Sequence, residues 1–267
     1  MADATLHDWL QTPLGTYVLQ REQSVLDEAV SNVFGFNALQ VFLPELEALR
    51  ANRIPNKITV SRDAASCLRA NPEALPVATQ SIDLAVLPHA LEFSSNPHVI
   101  LREIDRVMMP EGRLIITGFN PNSLWGMRQI FSRGRYSYPW CGHFISLSRL
   151  KDWLALLGFE VNGGRFWAYA PPVASERWLR RFRFLEPAGD RWWGVGGGVY
   201  MLEAIKRVQG VRLITPRWNR APADRALISA VRSAVRRTEY PENKVVRLIR
   251  SAPPIKATRL DAKAIPK

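Results

Sequence analysis

The chain has 267 residues, 47% of them hydrophobic and 22% charged, which excludes wholesale disorder and suffices for one sizeable core. No apolar run approaches the roughly 20 residues of a membrane-spanning helix, and the N-terminus lacks the apolar stretch and cleavage site of a secretory signal. The net charge of +12 lies wholly in residues 206–267, which hold 16 basic and four acidic side chains, so the pI says nothing about the neutral body of the chain.

Trp9–Phe34 reads as a helix, with Leu19, Glu22, Val25, Leu26, Ala29, Val30 and Val33 at helical spacing and the charged Arg21, Glu22, Asp27 and Glu28 mostly away from the apolar stripe. Gly35 breaks it. Asn37–Phe42 is a short strand stopped by Pro44, Glu45–Ala51 a short helical candidate, and Lys57–Ser61 a second strand. Ser81–Leu87 is nearly all apolar, as a strand covered on both faces should be. Asn96 and Pro97 then open a helix with Ile100, Leu101, Ile104, Val107 and Met108 inward, ended by Pro110-Glu111-Gly112. Arg113–Thr117 follows as a strand, completing a crossover that is right-handed by default. A helix after Ser148, capped by Gly158, leads to strand material at Phe159–Val161 and Arg165–Tyr169. Arg177–Leu185 is a basic, aromatic helix candidate, and Val199–Ile205 a last strand. The alternation predicts an α/β three-layer sandwich around one mostly parallel, seven-stranded sheet over residues 1–205. Residues 206–267, rich in proline and arginine, are expected to be a basic, largely flexible extension.

Three stretches carry a resemblance: Asn71–Val77, Ser81–Val86, and Asp105–Ile116 with its Met-Met-Pro-Glu-Gly-Arg-Leu turn. They resemble the class I S-adenosylmethionine-dependent methyltransferases, type 11 group, in which they are the loop beside the adenine, the fourth strand, and the helix–turn–fifth-strand unit. Residues 25–205 resemble a proteobacterial branch of that group, with Phe34-Gly35 before the first strand and Gly118-Phe119-Asn120-Pro121 after the fifth. The resemblance implies S-adenosylmethionine as cofactor and a methyl acceptor that the sequence does not name. It also exposes a departure. The family ends its first strand in an acid followed by a Gly-rich loop, whereas Gln40-Val41-Phe42-Leu43-Pro44-Glu45 has neither a glycine nor a carboxylate at the strand end.

By that resemblance the cofactor-binding candidates are Gln40, Phe42, Asp63 (two positions late for the ribose hydroxyls), Asn71, Leu75 and Leu87. Asn71 could meet the adenine amino group through its carbonyl oxygen, or simply shape the turn before Pro72. His89, just past the fourth strand, is the catalytic candidate, able to take a proton from a nucleophile; the rival reading is a strand-end histidine bonded to a backbone carbonyl. Asn120 and Asn122 stand where open α/β sheets place ligands, as substrate contacts or as turn residues capping the next helix. Trp125, Tyr136, Tyr138, Trp140 and His143 read as a lid over that edge or as an irregular loop pinned by aromatics. Cys67, Cys141 and His143 form no metal site, and two cysteines without a framework fit a reducing, cytoplasmic setting. In the tail, Arg225–Arg237 is a basic amphipathic helix candidate for a polyanion, nucleic acid or anionic surface, against the plainer reading of a solvated tail. The function expected is methyl transfer from S-adenosylmethionine to an unidentified acceptor. The alternative is an inactive methyltransferase-like domain serving as a binding or scaffold module.

Overall fold

The computed structural model describes residues 6–62, 67–132, 137–173 and 175–208. Seven strands form one sheet: β1 (Asn37–Val41), β2 (Asn56–Ser61), β3 (Leu68–Arg69), β4 (Ile82–Pro88), β5 (Met108–Phe119), β6 (Phe159–Trp167) and β7 (Val199–Lys206). Their order is β3-β2-β1-β4-β5-β7-β6, and only β7 runs against the rest. Alternation along β4 sorts the core into two faces. Leu84 and Val86 join Ala38 and Ile115 under α2 (Pro13–Ser31), while Ala85 and Leu87 join Leu39, Leu114 and Ile116 under α3 (Pro97–Val107) and α5 (Leu147–Leu156). This is the predicted three-layer sandwich.

The predicted N-terminal helix is two helices, α1 (Leu6–Leu10) and α2, parted where Thr12 caps α2 by accepting from the Gly15 amide at 3.1 Å, with Pro13 in the first turn. Between β1 and β2 no helix forms, although Glu45–Ala51 has helical composition. Leu43, Leu46, Ala48 and Leu49 are buried on the α2 face in a run of turns. The carbonyls of Leu43 and Leu46 accept from the Leu46 and Ala48 amides in tight turns and also from the Gln40 side chain, in place of the four-residue bonds of a helix. Asn96 precedes α3 without capping it; its amide group turns to Glu73 and Ser95. Met108, expected within the helix, and Pro110-Glu111-Gly112, expected as its stop, already belong to β5, whose register is irregular opposite Ile82 and Leu84. The α5 helix is capped by Ser146, two residues earlier than Ser148, and Gly158 after it adopts φ 82° as expected. β6 is one strand with an irregularity between Val161 and Gly163. The basic, aromatic segment splits into α6 (Glu176–Arg181), a 3-10 turn (Phe182–Phe184) and α7 (Leu185–Trp192). Lys206, expected to open the tail, ends β7 instead, and the tail beyond residue 208, with its Arg225–Arg237 helix candidate, lies outside the described residues.

Gly35 shows why the entry to β1 is fixed. The Asp83 carboxylate accepts from the amides of Phe36 (2.7 Å) and Asn37 (3.0 Å), and a Cβ on Gly35 would fall 2.4 Å from the Asp83 Cβ.

Candidate functional site

Open α/β sheets present ligand sites at the carboxyl ends of their strands, and here that edge has two unlike halves. At β1 it is closed. The Gln40 amide nitrogen lies 3.4 Å from the Phe42 carbonyl, 2.9 Å from that of Leu43 and 2.6 Å from that of Leu46, while its oxygen accepts from the Ala48 amide at 3.0 Å. Phe42 and Leu43 both take left-handed backbone, φ 75° and 48°, which ordinarily favours glycine. Leu43 is buried and the half-buried Phe42 ring packs 6.0 Å from Phe93. What remains beneath is a void of about 10 Å³ lined by Trp9, Glu22, Leu43, His89, Phe93 and Phe119, the size of one water at most.

Beside that void lies a buried charged group. His89 Nδ1 is 2.9 Å from Glu92 Oε2 and Nε2 is 3.1 Å from Glu22 Oε2, so both ring nitrogens face carboxylates rather than a backbone carbonyl. Thr117 donates to the other Glu22 oxygen at 2.5 Å, and the Phe119 amide to the other Glu92 oxygen. Burial by itself would depress the His89 imidazole, but the two facing carboxylates reverse this and raise it from 6.5 to about 10. Burial pushes the Glu92 carboxyl up, against the pull of His89 and the Phe119 amide. An imidazolium with both N–H groups donating has no lone pair with which to accept a proton at neutral pH. The arrangement needs close approach: a Cβ on Gly118 would fall 2.7 Å from Glu92 Oε1. The Phe119 ring stacks on His89 at 4.4 Å.

The other predicted residues scatter. Asn71 is exposed, its oxygen accepting from Arg62 at 2.8 Å and from the Glu73 amide at 3.1 Å, as a turn residue does. Leu75 and Leu87 are buried together on the α3 face. Asp63 lies outside the described residues. Asn120 is buried and committed to backbone: its nitrogen donates to the carbonyls of Val195 and Gly197, each at 2.9 Å, and its oxygen takes the Asn122 amide at 3.0 Å. Asn122 is exposed. Of the proposed lid, Trp125 is core, and Trp140 packs on it at 5.7 Å; Tyr136 lies outside the described residues.

Past β4 the edge is open. A cleft of about 790 Å³ lies between the first turns of α3 and α5 and the segment that follows α4 (Leu124–Phe131). Ser94, His98, His143 and Arg149 contribute to its polar wall, Trp140 and Trp153 to its apolar one, and among the described residues no acidic side chain lines it. The His98 ring sits 3.9 Å from that of Trp153. Neither helix carries an acid in its own first turn, but the Glu73 carboxylate lies 3.4 Å from the Asn96 amide nitrogen at the start of α3, so the partial positive charge left to face the cleft is that of α5.

With this sheet order and these two half-sites established, comparison with known proteins decides the family. A family model described as a methyltransferase domain matches residues 21–116. The uncharacterised protein YafS of Escherichia coli (strain K12) is 33% identical over 161 residues, covering 59% of this chain and 67% of that one. This chain belongs to the class I S-adenosylmethionine-dependent methyltransferases, type 11 group. A malonyl-[acyl-carrier protein] O-methyltransferase of Laribacter hongkongensis is 27% identical over 151 residues, 51% of this chain and 50% of that enzyme; the chain thus matches half the length of that relative. Among solved structures, methyltransferases of Thermotoga maritima (18% identical, TM-score 0.54, 72% of this chain and 93% of that one) and Archaeoglobus fulgidus (16%, 0.50, 70% and 94%) share the fold.

S-adenosylmethionine is the cofactor of this methyltransferase family. Its methionine end does not fit the closed β1 edge as it stands. The donor set there is one committed amide, without a carboxylate free to anchor an ammonium, and side chains occupy the place of the glycine loop. Exposing Leu43, Leu46 and Leu49 would cost about 4.5–9 kcal/mol at about 1.5–3 kcal/mol each. Any part of Gln40 and Phe42 in holding cofactor requires that segment to leave the core.

Sequence reasoning missed Glu22 and Glu92, and with them the charged group. The signal was present: Glu22 falls among the apolar positions of α2, and it points inward instead of away from the stripe. Among the described residues no group of His, Cys, Asp and Glu could hold a metal, and no helix is long and apolar enough to cross a membrane.

Proposed function

We propose that this methyltransferase domain acts on a small anionic acceptor with an apolar or aromatic part, held in the cleft past β4, and transfers to it the methyl group of S-adenosylmethionine. The observation that carries the acceptor class is the cleft wall, with Arg149, His98 and His143 beside Trp140 and Trp153 and no carboxylate among its described lining residues. Membership of the family supports the transfer. His89 does not serve as its base at neutral pH, so orientation in the cleft carries the reaction and the acceptor must arrive deprotonated or weakly acidic.

A second reading is favoured by one specific observation, the packing of residues 42–49 into the core: the same ligand is bound and no methyl group is transferred. Thermal shift separates the two. A rise in melting temperature with S-adenosylmethionine or S-adenosylhomocysteine supports transfer. No rise with millimolar nucleoside, together with a rise caused by aromatic carboxylates such as benzoate, supports binding alone. No response to either ligand overturns both.

A further inference from the structure

The outer surface of α4 and the corner after α7 leave apolar side chains in water that the core does not need. Leu124, Met127 and Phe131 follow one another at i, i+3 and i+7 and are 48%, 52% and 82% exposed. Trp192, Trp193 and Val195 are 75%, 59% and 72% exposed. The two groups belong to abutting segments. Asn120 donates to the Val195 carbonyl at 2.9 Å, and Ser123, the cap of α4, donates back to the Asn120 carbonyl at 2.6 Å. The inner side of α4 is clamped by Trp125, whose Nε1 donates to the Ala170 carbonyl at 3.1 Å and whose ring would lie 2.3 Å from a Cβ on Gly198. The helix therefore cannot roll to hide its outer stripe.

Charge identifies the partner. Residues 112–151, which include α4, contain no aspartate or glutamate. Arg191 is exposed beside Trp192, and Arg177, Arg180 and Arg181 are exposed on α6. Exposed tryptophans seat their amphipathic rings at the headgroup level of a bilayer, and neighbouring arginines meet anionic headgroups there. Exposed apolar side chains on adjoining segments, with an exposed arginine beside Trp192 and no acid in the sequence around α4, mark an interaction surface, and that charge favours an anionic partner.

We propose that the face formed by α4 and the Trp192–Val195 corner docks on an anionic lipid bilayer, with Phe131, Trp192 and Trp193 entering the interface. The inference is independent of the reading of the cleft, because none of these three residues lines it.

The test uses the full chain with vesicles of phosphatidylcholine alone and of phosphatidylcholine mixed with phosphatidylglycerol. Co-sedimentation should require the anionic lipid, and brominated acyl chains should quench tryptophan emission. A triple variant, Phe131→Ser, Trp192→Ser and Trp193→Ser, should weaken vesicle binding by about tenfold or more and abolish the quenching. Its melting temperature should match that of the parent, because the three side chains are exposed. Vesicle binding unchanged in the variant would place the attraction in the basic tail and overturn the proposal. So would failure of the parent to bind, or a dimer of the parent that the variant dissociates, since the face would then join two copies.

Discussion

The carboxyl edge of the sheet is closed at β1 and open past β4, and the two halves are held in opposite ways. At β1 a buried amide gathers the carbonyls of Phe42, Leu43 and Leu46, leucines fill the space below, and a charged histidine is locked between two carboxylates. Past β4 the walls are helix ends, two indoles, an arginine and two histidines around about 790 Å³ of space. The lesson is that one fold can keep room for an acceptor while the neighbouring half of the same edge becomes core. Polar groups at the closed half are committed to one another, whereas the open half lines its space with His98, His143 and Arg149.

Removing the charged keystone should break the closed half first. His89→Ala leaves Glu22 and Glu92 buried without their partner, and a loss of about 3–5 kcal/mol in urea unfolding is expected. His98→Ala at the exposed rim of the cleft should cost under about 0.5 kcal/mol. If the two variants lose equal stability, the contrast fails.

The pH profile follows with its sign fixed. The folded state holds the His89 proton more tightly than the unfolded chain, so its stabilisation is complete below 6.5 and is lost as pH rises toward about 10. The raised Glu92 carboxyl acts in the same direction. Melting temperature should fall across that window, by the equivalent of about 2–4 kcal/mol, and the slope should flatten in His89→Gln. A flat parent profile would mean that His89 is not held charged.

Gln40→Ala should come next, at about 2–3 kcal/mol, because it strips partners from buried carbonyls and from the Ala48 amide. Weakening this clamp also sharpens the functional question. If transfer is the right reading, the variant should bind S-adenosylmethionine more tightly than the parent despite its lower stability. The smallest change in stability, within about 0.5 kcal/mol, is expected for the exposed Arg149→Gln, which should nevertheless weaken binding of benzoate by about fivefold.

Much of the fold could be read from the residues, because buried strands such as Ile82–Pro88 and the amphipathic α3 have periods that tertiary contacts reinforce. The stretch after β1 was legible only as a departure. The missing glycines were visible, but not that Gln40 would bond to the carbonyls of Leu43 and Leu46, since that depends on a side chain folding onto residues three and six positions ahead. The site was the least legible. Glu22 reaches His89 across 67 residues and Thr117 across 95, and no local pattern encodes such a meeting. The cleft, likewise, is built from the first turns of two helices whose facing is decided by the sheet.

One bond has a bearing on how the chain is made. The Tyr17 hydroxyl of α2 donates to Glu186 of α7, a residue 169 positions further on, which also accepts from the Tyr169 amide at 2.9 Å. On the ribosome the second partner does not yet exist when the first emerges. The apolar stripe of the earliest long helix can mate with Ala38, Leu84 and Ile115 as those strands emerge, while this polar tether closes only near the end of the described chain and marks a late step in assembly.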